Sequence, residues 1–456
     1  MFFRRIRSKG LAHYSYVFGD AGQAVVVDPR RDLDIYMQIA AHNDAQITHV
    51  FETHRNEDYI SGAFALSRRT GAAVYHGEKL EFAYGRPTSE GDSFDIGELR
   101  LSILETPGHT DESISIVVCG PDPSKQPLAV FTGDTLFFGE VGRTDFYPDR
   151  PREVAGLLYD SIFDKLLPLG DGVTLHPGHG PGSICGGAIA DRSFSTLGHE
   201  RLVNPALQLD REEFIARKLA EHHYYPPYFQ EMERRNLQGQ PGGRLPVPKP
   251  LSPEAFADRM AAGMVALDVR SPEAIIGAMV PGSYGAPHDM ISGFAGWYLD
   301  HQTPIGLIGG DAEMRADVTR QLWRLGYEQV EAYLRGGLHG WEVSGRQYEN
   351  IPTLHAADLS HWLDTGVSFT LLDVRGEDEL ASGVLPGATN IYVGELGRRI
   401  NEVPDVRPVV TFCSTGRRAT IAATVLMRAG FSQVMVCLGS MQACRAVGCP
   451  IVTPAE

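Results

Sequence analysis

Thr53-His-Arg-Asn-Glu-Asp-Tyr59 is the stretch that decides the fold of the first half of this chain. It comes directly after the apolar run Ile47–Phe51. Three further polar elements follow in order: Thr106-Pro-Gly-His109, Thr132-Gly-Asp134 and His176-Pro-Gly-His179. Each follows an apolar, strand-like run. Residues at strand ends lie on the rim of a sheet, and four such ends on one rim gather imidazoles and a carboxylate around one metal ion. Ala24–Val27, Leu99–Leu104, Ser113–Val118 and Leu128–Phe131 read as further strands. Helical patterns intervene at Leu33–Ala41 and Arg152–Leu167. Strands mixed with helices in this way predict a layered α/β sandwich.

The bulk properties narrow the class. At 456 residues the chain is long enough for two to four domains, and 43% hydrophobic residues supply well-packed cores. No run of about 18 apolar residues exists to cross a membrane. Arg4, Arg5, Arg7 and Lys9 make the start basic, but no apolar core follows, so this segment reads as a first strand and not as a targeting signal. The net charge of −16 argues against nucleic acid and anionic membranes as partners. Six cysteines without a C-x-x-C pair form neither a disulfide framework nor a structural zinc site. A cytoplasmic location with reduced thiols is the expectation, and a homo-oligomer is the common state of such enzymes.

The four elements resemble the metallo-β-lactamase superfamily, whose second motif is T-H-x-H-x-D-H. Asn56 and Tyr59 replace two of its histidines. Members that hydrolyse their substrates hold one or two metals with an activated water on that cluster, so a dinuclear hydrolytic centre is impaired here. The persulfide dioxygenases of the same fold need only one Fe(II). The resemblance implies His54, His109 and Asp134 as its ligands, two imidazoles and a carboxylate in the facial triad of non-haem iron oxygenases. Gly142-Arg-Thr-Asp-Phe146 is similar to a G-R-T-D-F element of those enzymes, which carries over Arg143 and Asp145 as residues that shape the site. His179 matches the superfamily's last metal-binding histidine and is read as a support for the site or a substrate contact. Asp58 is read as orienting a ligand or water. Tyr59 is open between packing and a hydrogen bond at the iron. His176 reads as a packing residue, and Cys185 as a buried thiol or a sulfur relay. Zinc is the alternative metal.

Gln238-Gly-Gln-Pro-Gly-Gly243, followed by Pro246, Pro248 and Pro250, marks a linker. Beyond it the sequence repeats. Leu267-Asp-Val-Arg270 recurs as Leu372-Asp-Val-Arg375, Val280-Pro-Gly282 as Leu385-Pro-Gly387, and Leu325-Gly-Tyr327 as Ala429-Gly-Phe431, always 104 or 105 residues on. Two copies of one α/β domain with a parallel sheet follow from this. In the second copy, Val410-Thr-Phe-Cys413-Ser-Thr-Gly-Arg-Arg-Ala419 runs a strand into a cysteine, a short loop and a helix. Backbone N–H groups of such a loop, the helix N-terminus, and Gly416, Arg417 and Arg418 make an anion site that favours thiolate chemistry. A thiolate there attacks a sulfane sulfur and carries it as a persulfide. The pattern resembles the active loop of rhodanese sulfurtransferases. The first copy has Gly309 at the matching position and no cysteine at all, so it reads as an inactive scaffold or docking surface.

The expected architecture is therefore α/β throughout. A metallo-β-lactamase αββα sandwich, residues 1–240, precedes two rhodanese-like doubly wound α/β domains, residues 250–350 without the cysteine and 353–456 with it. This order resembles bacterial persulfide dioxygenase–sulfurtransferase fusions of the CstB type. It implies oxidation of a low-molecular-weight persulfide of glutathione or coenzyme A type to sulfite with O2, and transfer of sulfane sulfur to or from sulfite and thiosulfate at Cys413. Two alternatives remain open: a mononuclear hydrolase such as a thioesterase of glyoxalase II type, and a non-catalytic first domain with sulfurtransferase activity alone. His222-His-Tyr-Tyr-Pro-Pro-Tyr-Phe229 reads as an aromatic segment packed between domains.

Overall fold

Period-two alternation builds the first half. In the sheet β1 (Phe2–Ser8), β2 (His13–Asp20), β3 (Gln23–Val27), β4 (Gln46–Phe51), β5 (Ala73–Gly77) and β6 (Arg86–Thr88), the order is sequential. Tyr16, Phe18, Val25, Val27 and Phe51 lie on one face, and Val17, Ala24, Val26 and Val50 on the other. The first set meets Leu101, Ile103, Ile116 and Phe131 of a second sheet. That sheet runs β11-β10-β9-β8-β7, from β7 (Ser93–Ile96), β8 (Leu99–Glu105), β9 (Ile114–Cys119), β10 (Ala129–Gly133) and β11 (Thr174–Pro177). The outer set of the first sheet packs on Tyr36, Ala40, Ala63 and Leu66 of the helices Asp34–His42 and Ala63–Thr70. Val117, Val130 and Leu175 cover the outside of the second sheet against Leu158, Ile162, Leu166 and Phe214. The result is the αββα sandwich. Each fully buried aliphatic or aromatic side chain contributes about 1.5–3 kcal/mol, and a one-residue slip would turn a whole strand's set to the wrong face.

The computed structural model describes residues 1–122 and 125–453. It forms two compact units, Met1–Arg244 and Leu245–Glu456. Among the described residues no helix is long and apolar enough to cross a membrane. The helical pattern at Arg152–Leu167 becomes a helix at Pro151–Asp160 that widens into a π-turn at Ser161–Leu166 and tightens at Leu167–Leu169. The widening coincides with a bond from Ser161 Oγ to the Pro107 carbonyl (2.7 Å), which ties the helix to the Thr106–His109 element.

The second unit contains two parallel sheets. The first has the order β12-β16-β15-β13-β14, from β12 (Lys249–Leu251), β13 (Val265–Asp268), β14 (Tyr284–Gly285), β15 (Ile305–Ile308) and β16 (Val330–Leu334). β12 falls inside the stretch read as linker; it is an edge strand, where Pro250 removes no central ladder bond. The second sheet is β18-β17-β19-β20, from β17 (Thr370–Asp373), β18 (Thr389–Asn390), β19 (Val409–Phe412) and β20 (Val434–Val436). Thr353 bridges Val436 in parallel, as β12 pairs with β16. Leu371, Val410 and Phe412 pack on the helices Ala356–Thr365 and Ser440–Val447, whereas Leu372 and Val409 pack on the helix Arg417–Arg428, so helices cover both faces.

The repeated Leu-Asp-Val-Arg has a structural cause. Asp373 and Arg375 are both 1% exposed and form a forked ion pair, with Arg375 also donating to the Gly383 carbonyl (2.9 Å). Asp268, Arg270 and the Ala278 carbonyl repeat the arrangement. Removing one partner strands a buried charge. Asp373→Asn is expected to lower the stability of this unit by about 3–5 kcal/mol, read from chemical denaturation.

Candidate metal centre and thiol loop

His54 is oriented from behind. Thr53 donates from its backbone N and its Oγ1 to the two carboxylate oxygens of Asp28, each at 2.8 Å. With its proton spent on Asp28, Thr53 Oγ1 accepts from His54 Nδ1 at 2.9 Å. This fixes the tautomer and leaves the Nε2 lone pair facing the site. Asp28 itself takes a left-handed backbone, φ 48°, to reach Thr53. His109 is held by the same logic: Nδ1 donates to the Arg143 carbonyl at 3.0 Å. Both rings are buried, and neither Nε2 has a hydrogen-bond partner among the described residues. Asp134 Oδ2 stands 3.9 Å from His54 Nε2 and 3.7 Å from His109 Nε2. Ligands bound at about 2.0–2.2 Å to one ion lie no more than about 4.4 Å apart, a limit that both distances to Asp134 meet, and the ligand atoms of His54 and His109 lie within 4.8 Å of one another.

Glycine lets these strand ends meet. A Cβ on Gly133 would come within 2.3 Å of Thr53 Oγ1, and one on Gly178 within 2.5 Å of Asp134 Oδ1. The glycines of Thr132-Gly-Asp134 and His176-Pro-Gly-His179 are thus spacers for the cluster.

His179 lies between two carboxylates. Its Nδ1 is 2.8 Å from Asp134 Oδ1 and its Nε2 is 2.9 Å from Asp58 Oδ2. Burial opposes its charge, but Asp134 and Asp58 raise it well above the ordinary histidine value. Burial likewise opposes charge on Asp134, yet His179, His54 and His109 hold it well below the usual carboxylate range. His54 is pushed down to about 4, chiefly by burial, and is neutral.

Sequence reasoning missed Glu57, which occupies a variable position of the resembled motif. It is fully buried, with Oε1 3.4 Å from His109 Nε2 and 3.5 Å from the Cys185 thiol. Burial raises it, but His109 and His54 bring it down to about 2. Glu57 with His54 and His109, Glu57 with Asp134 and Cys185, and Asp58 with His179 and Cys185 each bring ligand atoms within 4.8 Å of one another. Cys185 is buried, and burial together with Asp58 and Glu57 pushes its thiol well up.

Tyr59 does not reach the cluster. Its hydroxyl donates to the Asp28 carbonyl (3.4 Å) and its ring packs on His13, with centroids 4.1 Å apart, so a contact at the metal is replaced by packing. Asn56 donates to the His54 carbonyl (3.2 Å). His176 is packed among Phe3, Tyr16 and Phe131. Arg143 forks onto Asp145 with two bonds of 2.6 Å and donates to the Tyr224 carbonyl, so this pair acts on the site through the carbonyl that holds His109. The aromatic segment 222–229 closes on that element of its own unit, with Tyr225 beside Phe146. Asn236 was also missed. From the helix Phe229–Gln238 it accepts from Ser61 N (2.9 Å) and donates to the carbonyls of Asn56 (2.7 Å) and Tyr59 (2.8 Å).

In the second unit, Cys413 follows β19 and is fully buried. Gly416 N donates to its sulfur at 3.1 Å, and Ser440 Oγ accepts from its backbone N at 3.0 Å. Gly416, φ 91°, caps the helix Arg417–Arg428. The two arginines do not point free charge at the sulfur. Arg418 is engaged by Glu379 and Ser414, and Arg417 by Asp289. Burial opposes the Glu379 charge, but Arg418 brings that carboxyl down to about 2. In the other half, β15 ends at Ile308, and three residues, Gly309 to Asp311, replace the four from Cys413 to Gly416 before the next helix.

Known families match the regions that contain both sites. Residues 9–179 match the metallo-beta-lactamase superfamily, and residues 355–446 the rhodanese-like domain. Mouse persulfide dioxygenase ETHE1 is 30% identical over 217 residues, covering 44% of this chain and 74% of the mouse protein. Hydroxyacylglutathione hydrolase GloC of Haemophilus influenzae is 28% identical over 215 residues, 42% of this chain and 91% of that protein. The crystal structure of a metallo-beta-lactamase from Staphylococcus aureus superposes with a TM-score of 0.65 at 29% identity, covering 73% of this chain and 98% of that one.

Two outcomes follow from the geometry. A divalent metal at 100 times its Kd is expected to stabilise the protein by about 2.7 kcal/mol, seen as a rise in Tm that His54→Ala and Asp134→Ala abolish together with bound metal. Asn236→Ala is expected to cost about 1–3 kcal/mol in denaturant melts, because buried groups of the 56–61 loop lose their partners. The chain belongs to the metallo-β-lactamase superfamily, in the family of the ETHE1 proteins, and carries a rhodanese-like domain behind that fold.

Proposed function

We propose that the first domain, residues 1–240, oxidises low-molecular-weight thiol persulfides, and that Cys413 in residues 353–456 transfers sulfane sulfur. Residues 250–350 are the copy without that chemistry. His54, His109 and Asp134 would hold one Fe(II) per chain. The observation that carries this reading is the convergence of two partnerless Nε2 atoms on one Asp134 oxygen, beside positions where Asn56 and Tyr59 supply no further imidazole. His179 is engaged by both Asp134 and Asp58, which favours a single ion. The order of domains in this reading would be that of the CstB-type fusions.

The balanced reaction is RSSH + O2 + H2O → RSH + H2SO3. Bound iron would supply the redox chemistry that lets dioxygen react with the sulfur. The protein's own part is positioning. Asp28 and Thr53 aim His54, and the Arg143 carbonyl aims His109. His179 keeps Asp134 ionised. Glu57 Oε2, buried without a hydrogen-bond partner among the described residues, offers a hydrogen-bond acceptor beside the ligands. At the other site, Cys413–S⁻ + S2O3²⁻ → Cys413–S–S⁻ + SO3²⁻, or its reverse, links the two activities through sulfite.

A second reading is hydrolysis, favoured by the similarity to the Haemophilus enzyme. Zinc in the purified protein and no oxygen uptake would favour it. The deciding experiment is anaerobic loading with Fe(II), followed by oxygen uptake on glutathione or coenzyme A persulfide. Uptake is expected to fall at least about 100-fold in His54→Ala and Asp134→Ala and to persist in Cys413→Ser, which loses sulfur transfer from thiosulfate. Iron-loaded protein that consumes no oxygen with either persulfide would rule the dioxygenase out.

A further inference from the structure

The helix that carries the Cys413 loop is covered from both sides. Every residue from Ala419 to Leu426 is buried. One face packs on its own sheet, and the other is met by the half that has no cysteine. Gly285 N donates to Thr424 Oγ1 at 3.1 Å and the Arg428 guanidinium lies 4.1 Å over the Tyr284 ring, while beside the helix the Tyr298 hydroxyl donates to the Val393 carbonyl in the loop after β18. At the helix N-terminus, beside the sulfur, the contact becomes ionic: Asp289 accepts from Arg417.

The two arginines of the loop differ in what they are free to do. The Arg418 side chain is 17% exposed and bonded to Glu379 and Ser414 within its own half. That arrangement braces the loop. The Arg417 side chain is 42% exposed and, among the described residues, held by one carboxylate, Asp289, itself 44% exposed. An ion pair this exposed is weak and exchanges readily. A guanidinium one residue past Gly416, whose N–H already points at Cys413 Sγ, is the group that an incoming anion can recruit with two parallel bonds.

We propose that Asp289, contributed by the half without a cysteine, sets the affinity of the Cys413 loop for anionic sulfur compounds by holding the Arg417 guanidinium, which an entering thiosulfate or sulfite takes over. This gives the cysteine-free copy a part in substrate selection, and it rests on the reading of Cys413 as the sulfur carrier for the choice of anion. Asp289 is a positioning residue, acting through Arg417.

The test uses the full chain with Asp289→Asn, Arg417→Gln and the double variant. The first readout is the KM for thiosulfate in sulfur transfer to cyanide. The second needs no sulfur transfer: the ratio of Cys413 alkylation by iodoacetate to that by iodoacetamide, followed by peptide mass. Asp289→Asn is expected to lower the KM about two- to fivefold with kcat unchanged, and to raise the alkylation ratio in proportion. Arg417→Gln moves both the other way, and in the double variant the Asp289 change adds nothing. Asp289→Lys, which repels Arg417 outright, moves both further in the direction of Asp289→Asn. A KM and a ratio unchanged in Asp289→Asn would overturn the proposal. A shifted ratio without any thiosulfate activity would overturn the sulfurtransferase reading and leave the Asp289 tether standing.

Discussion

Two buried imidazoles, each with one nitrogen bonded from behind and the other, among the described residues, left bare toward the site, are the constraint on which the first unit turns. A polar atom buried without a partner costs about 1–3 kcal/mol, and this cluster holds several. Such a cost persists where something else must bind. The surrounding elements are built to maintain it: Asp28 adopts a left-handed backbone to reach Thr53, Gly133 removes the side chain that would strike Thr53, and Ser161 anchors the loop that presents His109. Packing of the two sheets brings these strand ends to one rim, and the hydrogen bonds behind the rings decide which nitrogen faces inward.

Carboxylates and imidazoles in this cluster also set one another's charge. His179 keeps its proton because Asp134 and Asp58 flank it, and Asp134 stays ionised, against its burial, chiefly because His179 is charged and bonded to it. Glu57 is drawn into the same balance. A substitution at any one of these positions therefore changes the protonation of its neighbours, and the site behaves as one electrostatic unit.

The second unit shows how a repeated fold separates architecture from chemistry. The Asp268–Arg270 and Asp373–Arg375 pairs tie a strand end to the following loop in the same way in both copies. These bonds are structural, so both copies keep them. The loop after the next strand is where the copies part. Cys413 to Gly416 curl a backbone N–H onto a sulfur, whereas Gly309 and Gly310 turn directly into a helix capped by Asp311.

The order of layers and the internal repeat were legible in the sequence, because each rests on local information: alternation of apolar residues, glycine and proline punctuation, and motif spacing. The edge strand Lys249–Leu251 was not, since its partner β16 lies some 80 residues away and its prolines read as linker. Glu57 escaped for a related reason: nothing local distinguishes a carboxylate that folds under His109 from one on the surface. Asn236 reaches Asn56 and Tyr59 across 177 to 180 residues, and Asp289 reaches Arg417 across 128. Local sequence thus determined most of the elements and the residues on which the candidate sites are built. The tertiary structure alone decided which buried groups support them and how each charge is compensated, because burial and electrostatic pairing depend on distances in space and not along the chain.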